Sequence, residues 1–524
     1  MRWSNELARL ATPAARARDA GAIPSTARLK QCHDGSIKRL RTVILLAVLL
    51  IAPPGRCCVF VRWTEPTIPA RQVLGVTDIV IPWGDAQVSL FRTARIQGYH
   101  VYAETAPEQA KSAAEAGKQV GLTGVLIKVP GNAPVESDPE RAKQQADCAS
   151  LAKNLRAHFP ELAIRLIWPG GKEPQMTGTM VVKRDGVFAV SSPTQQPWID
   201  SNVAFIRFEH AYDPGEAPLV EFGWDLTDSL EQRYGPPPED YKIAIAEAGA
   251  FHADLILPLH QQLQEGLVRE DSQAGKVWSG INQYIQFYAR TAGDSPAMLM
   301  SDVGVLTHDY DSSYELLNLM ARHNIPFRVI RPSEFAPDRL DGMALIVVFG
   351  PLGGDAPDIV EGFTARGGTA VLIGRQGNVP WHSAPPSERN GEVTVYATGQ
   401  GRVVELPAPI ADPESFARDV WRLLKEPART VSLWNAETIL VAAYQAKGDS
   451  TVRLNLVNYS GEEMRAQVRV KGTFSQIRYG TPEHGCCISL TPSAQNGFTE
   501  FVVPGLRTGG VVHLSRPEQS VSKP

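Results

Sequence analysis

The sequence predicts an α/β chain of three units: a (β/α) barrel, a flavodoxin-like doubly wound domain and a small antiparallel β-sandwich. Three observations carry this. Short apolar segments alternate with helical stretches over residues 75–290, the alternation restarts over 295–427, and no helical pattern appears over 430–515. A length of 524 residues suits three domains at roughly 100–200 residues each.

The barrel strands read in order as follows. Thr77–Trp83 is a buried strand, Gln87–Ile96 a helix ending at Gly98, and Tyr99–Ala103 the second strand. Pro107–Val120 is a helix with proline at its start and Gly121 past its end, the usual asymmetry of helix termini. Gly124–Val129 is the third strand. Ser137-Asp138-Pro139-Glu140 forms a capping box for a helix running to His158. Ala163–Trp168 is the fourth strand, and Asp185-Gly186 turns an inserted hairpin. Val203–Phe208, Leu219–Phe222 and Asp254–Leu259 supply the fifth, sixth and seventh strands, and Lys276–Arg290 a last helix. No glycine-rich phosphate loop follows the first strand, which favours a closed barrel over an open dinucleotide-binding sheet.

The second unit places strands at Val303–Leu306, Pro326–Val329, Ala344–Val348 and Thr369–Ile373, with helices at Ser312–His323 and Pro413–Leu424. In the third, Val452, Leu454 and Leu456 alternate with polar neighbours, the period of a half-buried strand. The expected boundaries are 1–60 for a leader and signal or anchor segment, 70–294 for the barrel, 295–427 for the middle domain and 428–516 for the sandwich.

Hydrophobic residues make up 43% and charged residues 21%, with a net charge of −4. That balance argues against a nucleic-acid binder. The charge is uneven. Residues 1–41 carry nine basic and three acidic side chains, and the apolar run Val43–Ala52 follows directly. A basic region, a short apolar run and a Pro53-Pro54-Gly55 breaker make a secretory signal pattern. The run is shorter than the about 20 residues that span a bilayer. The chain is therefore expected to be exported: periplasmic, extracellular or held at a membrane by its N terminus. Arg56 stands where a lipoprotein signal has a small residue before Cys57-Cys58. The six cysteines include two vicinal pairs, which bridge only with strain, and form no disulfide framework.

A resemblance enters through the middle unit. Ala344-Leu345-Ile346-Val347-Val348, Phe363–Gly374 and Gly399-Gln400-Gly401-Arg402-Val403-Val404 resemble the amidotransferase-like trimerisation domain of bacterial β-galactosidases. Leu456–Ser460 and Val503–Leu506 resemble the β-sandwich that ends those enzymes. Barrel, amidotransferase-like domain and sandwich is their domain order. The resemblance implies glycoside hydrolysis and self-association. Two departures limit it. No cysteine lies between Cys148 and Cys486, so the middle domain lacks an amidotransferase nucleophile. The fourth strand runs into Trp168-Pro169-Gly170-Gly171, without the Asn-Glu pair of the family.

Barrel sites form at the C-terminal ends of strands. Glycosidic bonds are cleaved by paired carboxyls, and tryptophan faces stack on sugar rings. Glu209 and Asp225, at the ends of neighbouring expected strands, are the candidate catalytic pair. Trp83, Asp85, Glu104, Trp168, His210, Trp224, His260 and Glu265 are candidate substrate-binding residues. Asp85 and Asp225 also read as helix caps, and His210 and His260 as structural histidines. His308-Asp309-Tyr310-Asp311 reads as a loop whose Asp311 or Ser312 caps the next helix. No metal or other cofactor is expected. The expected function is an exported glycoside hydrolase acting on an oligo- or polysaccharide. The rival is a non-catalytic carbohydrate-binding or assembly protein with a relic barrel. Two carboxyls about 5–10 Å apart in one cleft would favour the enzyme.

Overall fold

Seven short parallel strands, apolar through their middles, build the first unit among the described residues. They are β1 (Val59–Arg62), β2 (Asp78–Pro82), β3 (His100–Thr105), β4 (Gly124–Lys128), β5 (Ala163–Ile167), β8 (Leu219–Glu221) and β9 (Asp254–Pro258), with β6 (Val181–Arg184) and β7 (Val187–Val190) forming a separate hairpin. The computed structural model describes residues 59–516 apart from 132–138, 169–180, 185–186, 191–196, 214, 222–236, 292–296, 435, 437, 447–450 and 461.

The strand order is β5-β4-β3-β2-β1-β9-β8. The ring closes where Trp168, one residue past β5, bridges to Val220 in β8, its amide donating to the Leu219 carbonyl at 3.0 Å. Side chains alternate across a strand, so every second residue points into the barrel. Phe60, Val80, Tyr102, Leu126, Ile167, Leu219 and Ile256 form one buried apolar cluster, one residue from each strand. This plug fills the barrel. At about 1.5–3 kcal/mol per buried large apolar side chain, it is a main source of the barrel's stability. Below it, Arg165 pairs with Asp254 at 2.7 Å.

The helices around the barrel are α1 (Arg71–Leu74), α2 (Val88–Ile96), α3 (Ala110–Val120), α4 (Pro139–His158), α5 (Pro197–Tyr212), α6 (Pro238–Phe251), α7 (Gln261–Val268) and α8 (Ser272–Thr291). Gly121 ends α3 in the left-handed conformation, φ 71°, as its position past the helix suggests. Two expectations need correction. Val203–Phe208 is not a strand but the middle of α5, so Glu209 and His210 lie on a helix. The strand that completes the ring is β1, read from sequence as the edge of the leader.

The middle unit has the parallel order Phe327–Ile330, Val303–Leu306, Leu345–Phe349, Thr369–Ile373, Gly401–Leu406, the 2-1-3-4-5 arrangement of flavodoxin-like sheets. Val393–Thr398 and Glu388–Asn390 extend it antiparallel. The third unit is a sandwich of a six-stranded and a four-stranded antiparallel sheet around its own core. The strand Ala297–Leu299, which precedes the middle unit, pairs with Tyr444–Ala446 at the edge of the six-stranded sheet. Cys486 and Cys487 are joined to each other. Among the described residues no helix is long and apolar enough to cross a membrane.

Candidate functional site

The same alternation that packs the plug lifts a second set of side chains above it. Two residues beyond Phe60, Tyr102, Leu126 and Leu219 stand Arg62, Glu104, Lys128 and Glu221. All four lie at or next to the C-terminal ends of their strands and face inward, at the barrel mouth.

They form one charge network. Arg62 grips Glu104 with two parallel hydrogen bonds, Nε to Oε2 at 2.6 Å and NH2 to Oε1 at 2.8 Å. Its remaining nitrogen, NH1, donates to Glu221 Oε1. Lys128 Nζ bridges the same two acids, at 2.8 Å from Glu104 Oε1 and 3.2 Å from Glu221 Oε2. A shared ammonium holds those oxygens within about 6 Å of each other, a carboxyl separation found across glycosidic bonds in hydrolases. Glu104 is 7% exposed and Lys128 47%, so the network has a buried end and an open end. Burial pushes the Glu221 carboxyl up, but the Arg62 hydrogen bond and the charges of Arg62 and Lys128 outweigh it and hold it below its ordinary range. Burial likewise pulls Arg62 down, and its bonds and charges with Glu221 and Glu104 overcome that.

The rim is tied together beside this network. Gln264, buried on α7, accepts from the Thr64 amide at 2.8 Å and donates to the Leu259 carbonyl at 2.8 Å. It thereby joins the loop after β1 to the loop after β9. The loops after β4, β5 and β8 run into residues 132–138, 169–180 and 222–236, outside the described residues.

Of the candidates read from sequence, Glu104 is in the network. Trp83 follows β2, its ring stacked on Phe91 of α2 with centroids 5.7 Å apart, so one face is taken by the protein. Asp85 opens a single 3-10 turn, Asp85–Gln87, ahead of α2. Trp168 is half-buried against the core and makes the closing bridge. His260 caps α7, its Nδ1 accepting from the Gln262 amide at 3.3 Å, and burial lowers its pKa. Glu265, on α7, accepts from Gln261 at 3.1 Å and Arg269 at 3.2 Å, and its charge adds to burial in raising the Glu65 carboxyl in the loop after β1.

Glu209 and His210 stand apart from the mouth. Both lie on α5, the helix packed against Tyr310–Arg322 of the middle domain. Burial, and then the charge of Asp213, pushes the Glu209 carboxyl up to about 8. Burial and Arg207 push His210 down to about 4, and its Nε2 lies 3.2 Å from the Phe251 carbonyl. Trp224 and Asp225 lie outside the described residues. In the middle domain it is Asp309 that caps the helix, accepting from the Asp311 amide at 3.0 Å.

Arg62, Lys128 and Glu221 were not among the candidates. The signal that finds them is a charged residue closing an otherwise apolar barrel strand, two positions after an inward-facing apolar one.

No protein-family model and no curated protein sequence matches the chain. Solved structures do match. The α-L-fucosidase isoenzyme 2 of Paenibacillus thiaminolyticus is 12% identical with a TM-score of 0.58, over 88% of this chain and 100% of that one. The GH42 β-galactosidase Gan42B of G. stearothermophilus is 10% identical with a TM-score of 0.57, over 88% and 98%. A cold-adapted β-galactosidase of Rahnella sp. R3 is 11% identical with a TM-score of 0.51, over 86% and 98%. The chain has the fold of these glycoside hydrolases across nearly their whole length.

Proposed function

We propose that the barrel mouth binds an oligo- or polysaccharide and hydrolyses a glycosidic bond, with Glu104 as nucleophile and Glu221 as acid and then base. The carrying observation is the pair of carboxylates held no more than about 6 Å apart at one mouth, a limit that includes the roughly 5–5.5 Å of retaining enzymes. The two-point grip of Arg62 fixes the direction of the Glu104 carboxyl, which suits attack on the anomeric carbon. Glu221 protonates the leaving oxygen, then takes a proton from the water that releases the sugar. For that it must first bind a proton, which Arg62 and Lys128 oppose. Lys128 is the exposed member, and an entering sugar that turns it aside raises the Glu221 pKa.

One observation favours a second reading, a non-catalytic carbohydrate binder. Two cations face two carboxylates, and Glu221 is held below its ordinary range, against the protonated acid that hydrolysis needs. Turnover on an aryl-glycoside panel separates the readings. Glu104→Gln and Glu221→Gln should each lower turnover by several orders of magnitude. Lys128→Met should move the alkaline limb of the pH profile upward, because removing a cation raises a neighbouring carboxyl's pKa. Polysaccharide binding by a parent protein that cleaves nothing would support the binder.

Export belongs to the same proposal, supported by Lys38-Arg39-Leu40-Arg41 before Val43–Ala52. Cleavage between Ala52 and Val59 would leave β1 whole.

A further inference from the structure

We propose that the β-sandwich carries a second carbohydrate site, separate from the barrel mouth, that takes a neutral oligosaccharide. The structure offers a hollow of about 430 Å³ there, within the range of small-ligand pockets of about 300–1,000 Å³. It lies at the corner where the chain leaves the six-stranded sheet through Gly485–Leu490 and joins the four-stranded sheet at Ser493–Gln495. Leu490 and Val502 give it apolar surface.

The wall chemistry points to a polyol. Gln467, Ser493 and Glu500 line the hollow from the outer face of the four-stranded sheet, and Ser489 and Thr491 from the other side. Amide and hydroxyl groups both donate and accept, which is what vicinal sugar hydroxyls require. Arg469 is shared between two carboxylates: its NH1 donates to Glu426, and its Nε lies 3.6 Å from Glu500 Oε1. One cation against two carboxylates leaves the wall net negative, so a neutral sugar is favoured over a uronate.

An aromatic platform stands at the edge of this wall. Trp434 is directly opposite Gln467 in the antiparallel pair, so both side chains rise from the same face. Trp434 is 42% exposed, one of the few large apolar side chains open to water among the described residues. Its ring presents the flat apolar face on which the C–H side of a pyranose packs, while Gln467 next to it meets the hydroxyls. The hollow alone would be a crevice, and the tryptophan alone a stray exposed ring. Adjacent in one register, they have the make-up of a sugar subsite.

The test is affinity electrophoresis of the full chain through native gels holding soluble galactan, glucomannan or mixed-linkage β-glucan, with polygalacturonate as the acidic counter-probe. At least one neutral polysaccharide should slow the protein. Trp434→Ala and Gln467→Ala should weaken that binding at least ten-fold without changing aryl-glycoside turnover or melting temperature. Glu104→Gln should keep it. Migration unaffected by every neutral polysaccharide would overturn the proposal. So would retardation that survives Trp434→Ala, or that Glu104→Gln abolishes, because the binding would then belong to the barrel. A chain that cleaves no glycoside but is held through Trp434 leaves this site standing while the hydrolase reading fails.

Discussion

Single residues separate the two buried acids that matter most. Glu104 is buried with cations against it, and Glu209 is buried without one that lowers it. In an unfolded chain Glu209 titrates near about 4.3. Folded, it is raised to about 8, so the native state holds the proton more tightly. Its favourable contribution is full below the unfolded value and is lost as pH rises through the folded one. Stability should therefore fall between about pH 5 and pH 8. Glu209→Gln, which cannot titrate, should flatten that fall and be the more stable protein at the upper end. Urea midpoints across this range measure it, and parallel curves for parent and variant would place the lost stability on other groups. Glu104 was legible as a mouth residue because it ends an apolar strand. Glu221 has the same signature but lies inside the segment that reads as the strand Leu219–Phe222, which puts the expected strand end at Trp224 and Asp225 instead.

At the level of elements, helices with end signals were legible and one buried helix was not. Pro107 and Gly121 bracket the helical stretch leading into α3 as their chemistry requires. The segment Val203–Phe208 is buried on all sides, its one charged residue Arg207 included, because α5 is sandwiched between the barrel and the middle domain. A single polar residue in an apolar run sets no period, so a short piece of it resembles a strand. β1 has only four residues and follows the signal-like run, so nothing in its pattern separates it from the leader. The glycines quoted for the middle-domain resemblance have a steric reason. A Cβ on Gly401 would lie 2.1 Å from the Gly368 carbonyl oxygen and 2.4 Å from that of Thr364, both backbone atoms. The strand Gly401–Leu406 thus rests directly on the end of the helix Ala356–Ala365. Gly401→Ala should cost about 1–3 kcal/mol or more by overpacking. An unchanged denaturation midpoint would show that the two elements have room to part.

Across the whole molecule, the three units are joined by apolar seams. One apolar cluster runs from Phe205 and Phe208 of α5 through Leu317 of the middle domain to Tyr444 and Tyr459 of the sandwich. Polar contacts follow the same seams: Tyr459 donates to Glu247 at 2.7 Å, Tyr444 and Asn455 both donate to the Ala250 carbonyl at 3.0 Å, and the Ala204 amide donates to Asn318 at 3.1 Å. Units joined in this way should unfold together. Calorimetry should show one endotherm, and three resolved transitions would mean that the seams are weak. The three-unit fold was legible as a string of segments, but the seams were not, because they join residues on the order of a hundred or more positions apart, beyond any local pattern. The strand Ala297–Leu299 gives this arrangement a temporal side. It belongs to the sandwich, yet the chain leaves it to build the middle unit and regains the sandwich only at Val431. Asp302 and Thr430 meet where the chain departs and returns, the Thr430 amide donating at 2.8 Å. On the ribosome, at about 5–20 residues per second, that first strand emerges on the order of ten seconds before Tyr444–Ala446 exists to pair with it. During that interval the nascent chain displays an orphan edge, so trigger-factor-like holdases would meet this protein at a definite stage of its synthesis, and the sandwich is the last of the three units to be completed.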